Sequence, residues 1–285
     1  MSRPRYAFTL AYQAGHLLPF RDFARRLLAA VDRWVVVEGA AHPRGSTAWC
    51  RPHPGPWQSD DGTRRALLRL QAQHPERVTV ILGPPAGWPG KDEMVRAAVD
   101  ALRREPLPAY LWQVDADEHW TPDDLTAAEQ ALAAAGGTCG EFLCDYYLGP
   151  QLRAVGEWGE GTALPYRRLW RWSGEQFARH EPPELVGGNG RTVRLPQRFA
   201  HYAYYFERDV AFKARYYGGH DRVLEHWRRL QADAAGGRGG WPRPISALFG
   251  AGRFAKSRTV IERLPAAGVS LPDAIPETPA HRQPR

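Results

Sequence analysis

Two alternating patterns of apolar positions organise the first half of the chain. Short β-rich runs at 6–11, 34–38, 78–82 and 110–114 predict strands, and apolar residues at three- and four-residue spacing over 20–30, 63–73 and 91–103 predict helices between them. Strands separated by single helices imply a mostly parallel sheet with crossover connections, a doubly wound arrangement. After Asp117 the order changes. A helix is expected at 121–135, then aromatic-rich strands at 140–148, 165–172 and 198–206, then one or two polar helices over 210–235. The pattern divides the chain into a first half at 1–120, a second half of the same domain at 121–209, a helical extension at 210–265 and a proline- and alanine-rich tail at 266–285, expected to be loosely attached.

A chain of 285 residues, 43% hydrophobic, is long enough for one sizeable core. No run approaches the roughly 18 to 20 apolar residues of a membrane span. The opening MSRPRYAFTLAY leads into a strand, so a soluble, cytoplasmic protein is expected. Cys50, Cys139 and Cys144 are an odd number with no C-x-x-C pair, which points away from a disulfide framework and from a zinc site.

The formal charge of +7 favours anionic ligands. Its arginines are spread along the chain, in pairs such as Arg64-Arg65, Arg167-Arg168 and Arg228-Arg229, and no nucleic-acid-reading motif accompanies them. Nucleic acid is therefore not an expected partner.

The chemistry concentrates at Leu111-Trp112-Gln113-Val114-Asp115-Ala116-Asp117-Glu118, an apolar strand ending in three carboxylates. In open α/β sheets ligands bind beyond the carboxyl ends of the strands. Crowded like charges call for a counterion, and magnesium or manganese suits carboxylate oxygens that share it with phosphate. The same residues also read as a solvated strand end before the helix cap Thr121-Pro122-Asp123-Asp124, and both readings stand at this point.

Several stretches together resemble a GT-A fold glycosyltransferase of the family 2 type, and also the family 17 N-acetylglucosaminyltransferases. They are VVVE ending at Glu38, Asp61-Gly62-Thr63, WPGKDEM from Trp88, WQVDADE from Trp112, HEPPEL from His180, and HYAYYFERDVAFKARYYG from His201. The resemblance implies a GT-A-like, Rossmann-like mixed sheet with C-terminal helices. It also implies transfer of a sugar from a nucleotide-diphosphate donor to a hydroxyl acceptor, with inversion.

Carried over by position, Glu38 would lie beside the donor nucleotide, and Lys91 and Arg96 would meet the nucleotide or diphosphate at a helix start that already favours anions. Asp115 would face ribose or a metal-bound water, Asp117 would bind Mn²⁺ or Mg²⁺, and Glu118 would support them. His201 would be a further metal ligand, with His180 as the alternate. Glu181, stiffened by the prolines after it, is the preferred catalytic base, Asp145 the second choice, and Glu184 is equally readable as a turn acid. Of the eleven tryptophans, Trp49, Trp57, Trp88, Trp112 and Trp170 fall near these segments, and at most two are expected to touch ligand.

Two rival readings remain. A sugar-phosphate nucleotidyltransferase would share the sheet and the paired acids, but needs a glycine-rich basic loop where this chain has Tyr12-Gln13-Ala14-Gly15-His16. A carbohydrate- or nucleic-acid-binding module would use the tryptophans and arginines without turnover.

Overall fold

A computed structural model describes residues 3–155, 166–250 and 257–264. In chain order the elements are β1 (Arg5–Ala11), α1 (Phe23–Ala30), β2 (Arg33–Glu38), α2 (Thr63–Gln73), β3 (Val78–Ile81), α3 (Lys91–Leu102), β4 (Ala109–Gln113), β5 (Glu118–His119) and α4 (Pro122–Ala134). The second half supplies β6 (Cys139–Tyr147), β7 (Leu152–Val155), β8 (Tyr166–Trp172), β9 (Phe177–Arg179), β10 (Glu184–Leu185) and β11 (Thr192–His201). It continues with α5 (Glu207–Tyr216), α6 (Val223–Ala235), β12 (Arg243–Pro244), α7 (Ser246–Phe249) and β13 (Val260–Arg263).

The fold is α/β, and its first half is the expected doubly wound unit: β3, β2, β1 and β4 are parallel neighbours in that order. The second half makes the sheet mixed. β8 runs antiparallel between β4 and β6, and β11 lies parallel to β6 on the other side.

The strand period of two decides where the core sits. Along β2, Trp34 and Val36 join one apolar cluster with Phe23 and Leu27 of α1 and Leu125 of α4. Val35 and Val37 point into the other, with Met94, Val95, Val99 and Leu102 of α3. Both faces are covered, as a parallel sheet requires. α4 starts with a capping box in which Thr121 and Asp124 satisfy each other's backbone N–H groups.

Three expectations need adjusting. The helix expected from residue 20 begins as a 3₁₀ turn at Phe20–Asp22, and Arg21 and Asp22 have positive φ before α1 starts. The strand expected over 198–206 lies at Thr192–His201, interrupted by a bulge around Pro196, whose missing N–H cannot join a ladder; residues 203–205 form a turn instead. The helical extension expected over 210–265 holds the helices α5 and α6, but also returns two strands to the sheet edge, β13 pairing with β7. The tail at 266–285 lies outside the described residues, as does Pro165 of the strand expected at 165–172. Among the described residues no helix is long and apolar enough to cross a membrane.

Candidate active site

The carboxyl ends of β1, β2 and β4 open onto a cavity of about 580 Å³, large enough for a nucleotide-sized ligand. Its wall is built from residues 10–14 after β1, Gly39–Ala41 after β2, Lys91 and Met94 of α3, Asp115–Asp117 after β4, His180, and the inner side of α5 as far as Tyr217. Gly39 turns the chain out of β2 at φ 117°, and a Cβ there would stand 3.3 Å from Gly83 Cα, Trp57 O and Trp88 Nε1. Only glycine meets both demands without strain.

The acidic run separates into three environments. Glu118 is fully buried and grips Arg168, Oε1 to Nη2 at 2.7 Å. Asp115 lies in the wall, and its Oδ2 accepts from the same guanidinium at 3.3 Å. Burial alone would discourage the charge on Arg168, but the Glu118 and Asp115 carboxylates hold its pKa above the ordinary guanidinium value. Asp117 has Oδ1 3.5 Å from His201 Nε2 and Oδ2 3.9 Å from Lys213 Nζ. Burial opposes its ionisation, yet the His201 and Lys213 contacts outweigh that and hold the carboxyl well below the usual range. Among the described residues no group of three or more His, Cys, Asp or Glu side chains is arranged to hold a metal by itself.

Lys91 opens α3 in the wall, its ammonium 5.9 Å from the centre of the Tyr216 ring and without an ion pair among the described residues. His180 also lies in the wall. Burial, then the nearby Lys91 and Arg168 cations, push its pKa down to about 3, so the ring is neutral, and its Nδ1 has no hydrogen-bond partner among the described residues. The following Glu181 is fixed through its amide, which donates to Ser46 Oγ at 3.1 Å. Burial pushes its carboxyl up against the opposing pull of Arg168 and Lys91.

Glu38, Arg96, Asp145, Glu181 and His201 are not in the cavity wall. Glu38 is fully buried at the end of β2, where Oε1 accepts the Ser59 amide at 2.7 Å, so it anchors the β2–α2 loop. Arg96 is turned toward β9, donating to the Ala178 carbonyl at 3.1 Å and pairing with Glu93. Asp145 is occupied by Arg198 at 2.6 Å and Arg153 at 3.6 Å. Glu184 pairs with Arg179 across the β9–β10 ladder.

Four contributors went unread in the sequence. Arg168 holds the two outer acids, and Asp92 accepts from the His180 amide at 2.7 Å and the Ser46 amide at 3.0 Å, tying α3 to both loops. Lys213 and Tyr217 lie inside the aromatic stretch that begins at His201.

No protein-family model matches the chain, and no curated protein matches its sequence. Solved structures similar to it include S. aureus TarS 1-349, at 8% identity and a TM-score of 0.43 over 79% of this chain and 69% of that one. The same protein in complex with UDP-GlcNAc is similar at 10% identity and a TM-score of 0.40 over 81% and 73%. A 4-diphosphocytidyl-2C-methyl-D-erythritol synthase is similar at 19% identity and a TM-score of 0.33 over 61% and 76%.

Proposed function

We propose that the chain is a glycosyltransferase that takes a sugar from a nucleotide-diphosphate donor and passes it to a hydroxyl acceptor with inversion. The observation that carries this reading is one cavity, at the carboxyl ends of parallel strands, whose wall holds the carboxylates Asp115 and Asp117 together with the ammonium groups of Lys91 and Lys213. Such a mixed set suits a ligand that brings both a polar sugar and a diphosphate.

Lys91 sits at the first turn of α3, where free backbone N–H groups add to its attraction for phosphate. Lys213 lies 3.9 Å from Asp117 and brings a second cation to the same region. The donor set also fits a divalent cation shared with phosphate. Asp117 and His201 stand 3.5 Å apart and Asp115 commits only one oxygen to Arg168, while magnesium typically takes one or two carboxylates and fills its shell with water and substrate phosphate. Bound Mn²⁺ or Mg²⁺ would neutralise negative charge on the leaving diphosphate.

Glu181 is the group we assign as base. As the acceptor oxygen bonds to the anomeric carbon, its proton passes to the Glu181 carboxylate, and the bond from that carbon to the diphosphate oxygen breaks with its electron pair. Glu181 is an exposed residue, yet the protein packed around its carboxyl pushes it upward, and a raised carboxyl is a better proton acceptor than an ordinary one. Asp145, held by two arginines, is less available.

The test is a thermal-shift screen with UDP, GDP, ADP and dTDP, each with and without manganese, then turnover with sugar conjugates of the stabilising nucleotide. Glu181→Gln should keep donor affinity and lower transfer by about 10²- to 10⁴-fold, the usual size of general-base catalysis. Failure of every nucleotide to stabilise the fold would overturn the reading. Near-normal transfer by Glu181→Gln, with a large loss in Asp145→Asn, would move the base to Asp145.

A further inference from the structure

We propose that Trp49 and Tyr217 form a platform at the cavity mouth on which a carbohydrate acceptor lies, within reach of Glu181. This rests on the glycosyltransferase reading and adds to it the class of acceptor and the surface that receives it.

Trp49 leaves half of its surface to solvent (50%), although most of the other tryptophans are buried or half-buried. Its ring centre stands 5.1 Å from that of Tyr217, which belongs to the cavity wall. The segment is held by backbone. Cys50 and Tyr217 form an antiparallel bridge, and the Arg51 amide donates to the Tyr216 carbonyl at 2.8 Å. The exposed indole therefore sits next to a fixed point of the backbone, the isolated bridge between Cys50 and Tyr217.

Two observations place the chemistry next to it. Burial, then Cys50, then Asp117, Glu181 and Asp115 push the Tyr217 phenol up, so this ring lies within electrostatic reach of all three site acids. Ser46, in the turn just before Trp49, receives the Glu181 amide. The platform and the assigned base are thus tied to one short stretch of chain.

A pyranose has an apolar face of C–H groups and an equatorial rim of hydroxyls. An indole meets the first by dispersion. The second needs hydrogen-bonding groups at the edge, and the Arg51–Asp221 pair, 2.6 Å apart and with exposed side chains, supplies a fork of donors beside a carboxylate.

The test uses the full-length protein with Trp49→Ala and Trp49→Phe on an array of microbial oligosaccharides, alongside calorimetry with the nucleoside diphosphate that best stabilises the fold. Wild type should retain a defined set of glycans. Trp49→Ala should weaken them by about tenfold, the scale of one aromatic stacking contact, and Trp49→Phe should recover part of that loss. Nucleotide affinity should be the same in all three proteins, which also shows that the variants fold. Equal glycan binding by wild type and Trp49→Ala, or no glycan binding by wild type, overturns the platform. Glycan binding that depends on Trp49 without any nucleotide binding would instead sink the transferase reading and leave the platform standing.

Discussion

His201 Nε2 stands 3.5 Å from Asp117 Oδ1, and the backbone fixes that approach: the Tyr202 amide donates to the Asp117 carbonyl at 2.7 Å, and His201 pairs with Glu118 across β11 and β5. The strand carrying the acids and the strand carrying the histidine are therefore in register before any ligand arrives. Asp117→Asn should abolish metal-stimulated turnover while the circular dichroism spectrum stays that of a folded protein. Turnover measured with manganese and with chelator checks it, and full, chelator-insensitive activity in the variant would contradict the metal assignment.

Among the described residues Lys91 forms no ion pair, so its charge is available to the ligand. Lys91→Ala should weaken a nucleoside diphosphate by about 1.5 to 3 kcal/mol, the range of a charged hydrogen bond, and leave the nucleoside nearly unaffected. Calorimetry with both ligands separates the outcomes, since equal losses would indicate a packing defect.

Arg168 is buried over the Tyr166 ring, 4.8 Å from its centre, and its charge is acceptable there only because Glu118 and Asp115 meet it. Removing one partner of a buried pair typically costs about 3 to 5 kcal/mol, and that loss is expected for Arg168→Met in urea unfolding. Adding Glu118→Gln should restore most of it, because the one carboxylate left without its partner, Asp115, is partly exposed to solvent. A single variant as stable as wild type would mean that water reaches Glu118.

His119 packs against Phe20, Phe23 and Tyr202, and burial, then Arg21 and Arg26, push its pKa down from 6.5 to about 4. Below pH 6.5 the unfolded chain takes up a proton that the folded chain refuses until about pH 4, so this residue's contribution to stability is present above 6.5 and is lost as the pH falls through that window. His119→Phe should flatten the acid side of the stability profile between those limits. Melting temperatures at pH 7, 6 and 5 test this, and an unchanged slope would assign the acid sensitivity to other groups, His180 first.

The parallel half of the sheet was legible because both faces of its strands are buried, which leaves continuous apolar runs such as Trp34-Val35-Val36-Val37. The strand-end acids were legible for the same reason, as a sudden break in such a run. The partners of those acids were harder to see, because Arg168 comes 53 residues after Asp115 and reads as half of a surface pair. The period of β8 held a signal: Arg168, Trp170 and Trp172 share one phase, and the tryptophans mark it as the inner face. Arg96 and Asp145 misled for the opposite reason. Each is the right residue type near the right element, but a helix turn or a strand register points it at a neighbouring backbone or arginine, and spacing along the chain does not report that.

The pairing of His16 with Asp209 joins residues 193 positions apart, and through it α5 closes the cavity over the loop that follows β1. A contact that encloses so much chain carries a large loop-closure entropy, which is met only after the intervening sheet has formed. The strands and their crossover helices can thus assemble while the cavity still lacks one wall, and the wall with Lys213 and Tyr217 docks late. Binding competence should then trail the recovery of secondary structure in refolding, with the active site the last part of the molecule to exist.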